Sequence, residues 1–292
     1  MNPAEPNVGS PAVTIIVPAY NEVSGIRDVL EELRRLDPNW EVLVVDDGST
    51  DGTGAIVAES GFRVIRHQVN RGYGASLKSG IRAARAPWIV ITDADGTYPN
   101  ERIPEIVAGL EEHNMVVGAR TGEKVHIPLI RRPAKAALNA LANYLSETTI
   151  PDLNSGLRAF RKEDVLRFLD ILPSGFSFTT TITLAMHVND LFVRYVPIDY
   201  HARKGQSKIR PIQDTLNFLA LIVRTVLYFR PLKIFLPLSG FLLVLALAVF
   251  LYSWLLTPKI MDASVSIIVM SAFQMAAIGL LADLIDKRAG KG

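Results

Sequence analysis

The sequence predicts an α/β fold, a mostly parallel sheet flanked by helices, followed by a juxtamembrane amphipathic helix and two transmembrane helices. Three observations predict it. Short Val/Ile-rich runs alternate with helix-like segments over the first 120 residues, the order that builds a parallel sheet with helices on both faces. Acidic residues gather where those runs stop. Two uncharged apolar runs near the end of the chain are each long enough to cross a hydrocarbon core of about 30 Å.

In chain order, strands are expected at 13–20 (VTIIVPAY), 41–47 (EVLVVDD), 63–67 (RVIRH), 88–93 (WIVITD) and 115–120 (MVVGAR). Runs of this composition suit strands buried on both faces. Helices are expected between them, at about 24–36, 51–60, 73–85 and 101–112. From 133 to 200 the pattern changes. A helix at 133–146 precedes PDLNSGLRAFRK, a further helix, FSFTTTITLAMHV and a strand, FVRYVPI. These complete one domain over 12–210, ending in the basic loop HARKGQSKIRP. Residues 1–11, MNPAEPNVGSP, have no apolar stretch of the kind a secretory signal carries and are expected to be a disordered tail.

The remainder is expected to be membrane-associated. Residues 211–231 read as a helix lying along a membrane surface, and 232–286 as two spans at about 234–256 and 263–282, joined by TPKIMD. Arg224, Arg230 and Lys233 precede the first span; Lys287, Arg288 and Lys291 follow the second, in a tail over 287–292. An excess of Lys and Arg marks cytoplasmic flanks, so both termini and the large domain are expected in the cytoplasm. Two buried core helices would give the same runs, although both exceed the roughly 18 residues that mark a membrane-span candidate.

Composition narrows the classes. Of 292 residues, 49 % are hydrophobic and mean hydropathy is +0.24, with the excess after about residue 215. The net charge of +2 gives no sign of a nucleic-acid partner. The absence of cysteine excludes disulfides, thiolate metal sites and a Cys nucleophile.

The chemistry-bearing residues sit at strand ends, where ligands bind in open parallel sheets. In VITDADGTYPN, Asp93 and Asp95 follow a buried-type strand. Past the strand end both carboxylates can face one divalent cation, and Mg²⁺ commonly takes one or two carboxylates plus substrate phosphates. DADG would also serve as a turn. VPAYNE supplies Pro18, Tyr20 and Glu22, with a tyrosine able to lie against a base and a glutamate able to accept from ring nitrogens or a ribose; it would equally serve as a connection capped by Asn21. VVDDGSTDG supplies Asp46 and Asp47, suited to a ribose hydroxyl or to capping the next helix. In RGYGASLKSG, Gly72 and Gly74 follow the third strand with the wrong spacing for a dinucleotide fingerprint, so they read as helix entry and close packing. The five histidines, 67, 113, 126, 187 and 201, show no ligand spacing and are expected mostly at the surface.

VPAYNE, VVDDGSTDG, NRGYGASLKSGI, DADGTYP, VVGAR and DLNSGLRAFRK stand in an order and spacing that resembles family 2 glycosyltransferases. The similarity is greatest to the dolichyl- or polyprenyl-phosphate sugar synthases, including those with a C-terminal membrane hairpin, and covers 12–210 strongly. The resemblance implies a GT-A fold, a nucleotide diphosphate sugar donor, Mg²⁺ or Mn²⁺, and inversion at the anomeric carbon. It places Pro18, Tyr20, Glu22, Val45, Asp47 and Ala94 around the nucleotide. It assigns Asp93 and Asp95 to metal and diphosphate, Asp152 to a position regarded as catalytic together with Asp95, and Arg120, Arg203 and Lys208 to donor phosphates. Arg131 matches an acceptor-phosphate ligand. Lys135 stands where relatives often have serine, which keeps phosphate binding and puts hydroxyl contacts in doubt.

A lipid phosphate has a second pKa near 6 and is largely dianionic at pH 7. It needs little help losing a proton, so Asp152 matters less as a base than as an orienting group. Cations must instead screen two phosphorylated substrates. Lys204 and Arg210 add to those already named, and the same basic loop would be drawn to anionic lipid. The expected activity is transfer of a hexose, with UDP-glucose ahead of GDP-mannose, to polyprenyl phosphate at the cytoplasmic membrane face. Membrane lipids are the other expected contact, and self-association through the spans stays open. Transfer onto a growing polysaccharide is disfavoured, since Q-x-x-R-W is missing and two spans are few for a channel. A non-catalytic nucleotide-sugar-binding scaffold is the rival from another class.

Overall fold

A computed structural model describes residues 11–121, 143–144, 147–175, 177–201, 223, 227, 230–256 and 262–289. The chain divides into two compact units, Met1–Leu219 and Ala220–Gly292. The expected N-terminal tail, the helix at 133–146 and the juxtamembrane helix lie wholly or mostly outside the described residues.

The first unit holds a seven-stranded sheet: β1 (Val13–Ala19), β2 (Glu41–Asp46), β3 (Arg63–Arg66), β4 (Trp88–Ile91), β5 (Met115–Ala119), β6 (Arg158–Arg161) and β7 (Val193–Pro197), in the spatial order β3-β2-β1-β4-β6-β5-β7. β1 pairs parallel with β2 and β4, β2 with β3, and β5 with β7. β6 runs antiparallel between β4 and β5. It lacks the Val/Ile run that marks the other central strands, because its four residues are Arg-Ala-Phe-Arg. No local run therefore marks it as a strand.

Helices α1 (Ile26–Arg34), α2 (Thr53–Glu59), α3 (Tyr73–Ala83), α4 (Ile103–Ala108), α5 (Lys162–Leu166) and α6 (Phe178–Val188) flank the strands. α1 buries Ile26, Val29, Leu30 and Leu33, an i, i+3, i+4, i+7 stripe. The single helix expected over 101–112 is broken into α4 and two 3-10 turns, Asn100–Arg102 and Gly109–Glu111. Pro104 sits in the first turn of α4, where its missing N–H costs no helical bond. α6 is rich in β-branched threonine, a composition that suits strands, yet it is a helix buried along almost its whole length. Thr181 and Thr183 donate back to the carbonyls of Ser177 and Thr179, at 3.0 and 2.8 Å, which satisfies their hydroxyls away from water.

The second unit is a helical pair, α7 (Leu232–Leu256) and α8 (Asp262–Ala289). Both are long and apolar enough to cross a membrane. α8 continues past the expected end at 282, so part of the expected tail is helical. The buried positions of α7 are Ser239, Ala246 and Ser253, small residues seven apart. Ser239 Oγ donates to the Ala272 carbonyl at 2.8 Å, and a Cβ on Gly279 would stand 2.6 Å from that of Phe235. Small residues let two apolar helices approach where the surroundings offer no hydrophobic drive. Large side chains, among them Phe241, Trp254, Ile267 and Phe273, point outward.

Gly80 of α3 presses on β1, where an added Cβ would lie 2.6 Å from Ile16 Cγ2. Gly80→Val is expected to cost about 1–3 kcal/mol of stability through overpacking, read as a lower midpoint of thermal unfolding by the near-ultraviolet dichroism of the full chain in detergent.

Candidate active site

Three neighbouring strands, β2, β1 and β4, end together on one rim of the sheet. Past β1, Asn21 takes a left-handed conformation, φ 55°, and turns the chain back over the rim. Its amide donates to Ser49 Oγ at 3.1 Å, and its side-chain carbonyl accepts from Thr50 N at 2.9 Å. Glu22 N donates to Thr53 Oγ1 at 2.9 Å. Val23 N and Thr53 N both donate to Asp51. Burial opposes ionisation of Asp51, but the Thr53 hydroxyl, which donates to it at 2.6 Å, and these amides outweigh it and hold its carboxyl below the usual range. The loops after β1 and β2 are thus stitched into one surface. Tyr20 stands on it 40 % exposed, and Glu22 is half-buried. Pro18 is buried within β1, and Val45 is buried in β2 beside it. The Val45 side chain is fully buried in the core.

The two acids of β2 are anchored differently. Asp46 accepts from Ser49 N at 3.0 Å, while its Oδ2 lies 3.2 Å from Arg66 Nε, at an angle that makes an ion contact rather than a hydrogen bond. Asp47, 2 % exposed, accepts from His67 Nδ1 at 2.5 Å, from Arg71 N at 3.0 Å and from Gly72 N at 2.8 Å. A carboxylate bonded to an imidazole and two backbone amides organises the β3–α3 connection. His67 is therefore a buried structural partner, its Nε2 bonded to Ser79 Oγ at 2.9 Å, and not the surface residue expected of it. His187 is also partly buried, 2.8 Å from the Tyr195 hydroxyl. Nothing in the sequence near either histidine signals burial, because their partners lie on other elements.

Past β4 the chain runs through Thr92, Asp93, Ala94 and Asp95 into Gly96, which takes φ 70°. Ala94 is buried; both aspartates are half-buried. Asp95 Oδ1 accepts from Thr97 N at 3.1 Å and from Thr97 Oγ1 at 2.6 Å, so this residue does make the local turn. Asp93 Oδ1 accepts from the Tyr73 hydroxyl at 3.0 Å. The oxygens of Asp93 lie 2.8 and 3.0 Å from where a Cβ on Gly156 would stand, so the absence of a side chain there keeps a cradle open beside them. Gly156 N donates to the Tyr98 hydroxyl at 2.6 Å. Burial, followed by the Asp93 charge, raises both tyrosines well above the ordinary phenol range and keeps them neutral.

The loop that ends at Gly156 begins near Asp152, which is 3 % exposed. Arg120, one residue past β5, grips it with both arms: Nε to Oδ2 at 2.7 Å and Nη2 to Oδ1 at 2.9 Å. Arg120 N and Asn154 N donate to the same carboxylate. Burial alone would raise the Asp152 pKa, but the Arg120 hydrogen bonds and charge outweigh it and hold the carboxyl below its usual range. The Arg120 guanidinium lies 5.2 Å from the centre of the Tyr200 ring. Behind the loop, Arg158 of β6 is wholly buried and donates to the carbonyls of Ser155 and Thr179 and to Thr183 Oγ1. Sequence reasoning did not single it out.

Pro18, Tyr20, Glu22, Asp47, Asp93, Ala94 and Asp95 therefore share the rim of β1, β2 and β4, while Arg120 and Asp152 pair past β5. Arg131, Lys135, Arg203 and Lys208 lie outside the described residues. Missed by sequence reasoning were Tyr73, Tyr98 and Gly156, each identified only by contact with another strand end.

The family model of glycosyl transferase family 2 matches residues 14–168, and that of the GtrB C-terminal hairpin matches 230–287. A dolichyl-phosphate hexose transferase of Haloferax volcanii is 31 % identical over 201 residues, 68 % of this chain and 87 % of the relative. An undecaprenyl-phosphate mannosyltransferase of Micrococcus luteus is 29 % identical over 212 residues, again 68 % and 87 %. Among solved structures, glucosyl-3-phosphoglycerate synthase from Mycobacterium tuberculosis, in complex with Mn²⁺, uridine diphosphate and glucosyl-3-phosphoglycerate, shares the fold with a TM-score of 0.60 and 22 % identity, covering 75 % of this chain and 81 % of that one.

Asp152→Asn leaves Arg120 without its counter-charge in a site that is mostly buried, and is expected to cost about 3 kcal/mol. The sign of the pH effect follows from a depressed carboxyl. The stabilisation is complete above roughly pH 5, beyond the ordinary aspartate pKa of about 3.9, and fades as pH falls through the lower folded value. Denaturant titrations between pH 2 and 6 are expected to give a shallower acid-side slope for the variant than for the wild type.

Proposed function

Because the chain belongs to glycosyl transferase family 2, we propose that it moves a hexose from a nucleotide diphosphate sugar to a polyprenyl phosphate, with inversion and with UDP-glucose as donor. The names of the Haloferax and Micrococcus relatives, which pair a sugar with dolichyl or undecaprenyl phosphate, support the acceptor class. The mannosyltransferase name favours GDP-mannose as the second reading of the donor. Lys and Arg at both outer ends of the helical pair support a cytoplasmic placement of the first unit.

One observation carries the reading. The loop after β4 presents Asp93 and Asp95, and the loop 152–156 brings Gly156 against Asp93 while its other end holds Asp152 on Arg120. Half-buried carboxylate oxygens beside a cradle that a Cβ would fill suit a hard divalent cation such as Mg²⁺ or Mn²⁺. When bound, that ion supplies positive charge to the departing nucleoside diphosphate. Tyr20 and Glu22 receive the nucleoside. Asp47, whose carboxylate is engaged with His67 and two amides, serves it by shaping the adjoining loop.

Arg120 presents a cation that Asp152 holds in one orientation. Arginine carries five N–H donors, and Asp152 accepts from two of its nitrogens, so the fork can serve a carboxylate and a phosphate together. Asp152 stays ionised and paired, which makes it a positioning group rather than a proton acceptor. The dianionic lipid phosphate requires no base. Its oxygen attacks the anomeric carbon as the bond to the nucleoside diphosphate breaks, and a single displacement of this kind inverts the configuration.

The test gives the purified full chain a polyprenyl phosphate, Mg²⁺ or Mn²⁺, and each common nucleotide sugar in turn. Glycolipid is expected from one donor, and its absence from all of them overturns the reading. Asp93→Asn and Asp95→Asn are expected to lower kcat by about 100-fold or more, in line with the loss of one preorganised electrostatic group. Preserved turnover in both would leave a different site responsible.

A further inference from the structure

The segment 71–74, Arg-Gly-Tyr-Gly, touches both acidic strand ends of the rim. Its first two amides, Arg71 N and Gly72 N, donate to Asp47 at the end of β2. Its tyrosine reaches the end of β4, with the hydroxyl 3.0 Å from Asp93 Oδ1. The backbone between them has little freedom. Gly72 takes φ 97°, a conformation side chains avoid. A Cβ on Gly72 would stand 2.7 Å from the Ser174 carbonyl oxygen, and one on Gly74 2.8 Å from that of Gly175. Ala75 N donates to the same Ser174 carbonyl at 3.0 Å. Tyr73 is thus held by the chain on both sides of it, and its ring is aimed at one oxygen of one carboxylate.

We infer that Tyr73 is a positioning residue for the metal-binding carboxylate, its hydroxyl fixing the Asp93 side chain in the orientation that receives a divalent cation. This rests on the glycosyltransferase reading of the site. A carboxylate at the end of a strand can rotate about two side-chain bonds. On one side of Asp93, Gly156 presents no side chain and leaves room beside the carboxylate oxygens. The Tyr73 hydroxyl, coming from α3, adds a directional contact at 3.0 Å that favours one orientation. Because the same four residues also hold Asp47, the segment links the nucleoside end of the rim to its metal end. An ion at Asp93 and a nucleoside beside β2 are then read by one rigid strap.

Tyr73→Phe keeps the ring and removes the hydrogen bond. The measurement is Mn²⁺ affinity, taken from the electron paramagnetic resonance of the free ion, on the full chain in detergent with UDP and with GDP in separate titrations and no acceptor. The wild type is titrated first. Failure to take up Mn²⁺ with either nucleotide overturns the metal reading, and this inference with it. Binding by the wild type, with affinity about 10-fold weaker in the variant, as loss of an outer partner to a metal ligand commonly gives, and with an unchanged thermal midpoint, is the expected result. Equal affinity in a folded variant overturns the role of Tyr73 and leaves the proposed activity standing. Should Tyr73→Phe fail to fold, 3-fluorotyrosine at position 73 preserves the shape and makes the hydroxyl a stronger donor. A changed Mn²⁺ affinity then supports the inference, and an unchanged one overturns it.

Discussion

Negative charge crowded onto one edge of a sheet is the constraint from which the rest of this domain follows. Asp46, Asp47, Asp93 and Asp95 end two strands separated only by β1. Buried or half-buried carboxylates are tolerated only when hydrogen-bonded or paired. The chain answers each in its own way: an arginine contact and an amide for Asp46, a histidine and two amides for Asp47, a phenol for Asp93, a threonine for Asp95. Asp46 and Asp47 are bound into the framework by these partners. Asp93 and Asp95 keep more of their surface.

The same logic governs the positive side. Arg120 is locked to Asp152, whereas Arg158 is buried among carbonyls and hydroxyls behind the loop that joins Asp152 to Gly156. Burial lowers the Arg158 pKa, yet arginine stays protonated in proteins, so its charge must be spread over neutral acceptors. Holding the Ser155 carbonyl, it braces the loop from below. That loop carries the fixed pair at one end and the space beside Asp93 at the other, so rigidity in the core becomes geometry at the rim.

The apolar pair α7 and α8 is long and apolar enough to cross a membrane, and it packs on a different pattern. Its outward side chains are large and its buried positions small, the reverse of a water-soluble hairpin. Close contact between small residues and the Ser239 hydrogen bond to the Ala272 carbonyl join the two helices.

The sequence by itself determined the strands that carry Val and Ile, the parallel order of the first four, the acidic strand ends, and two apolar helices of membrane length. Each is written in a local period or run, which needs no distant partner to be read. Tertiary structure alone decided that the Arg-Ala-Phe-Arg stretch is a central antiparallel strand, that a threonine-rich segment is a buried helix, and that His67 lies inside. It alone distinguished the anchored Asp47 from the more open Asp93, brought Tyr73 and Gly156 to the latter, and joined Arg120 to Asp152 across 32 positions. These outcomes depend on which side chains meet after the strands have ordered themselves, and a carboxylate in a linear sequence carries no mark of the partner that will satisfy it.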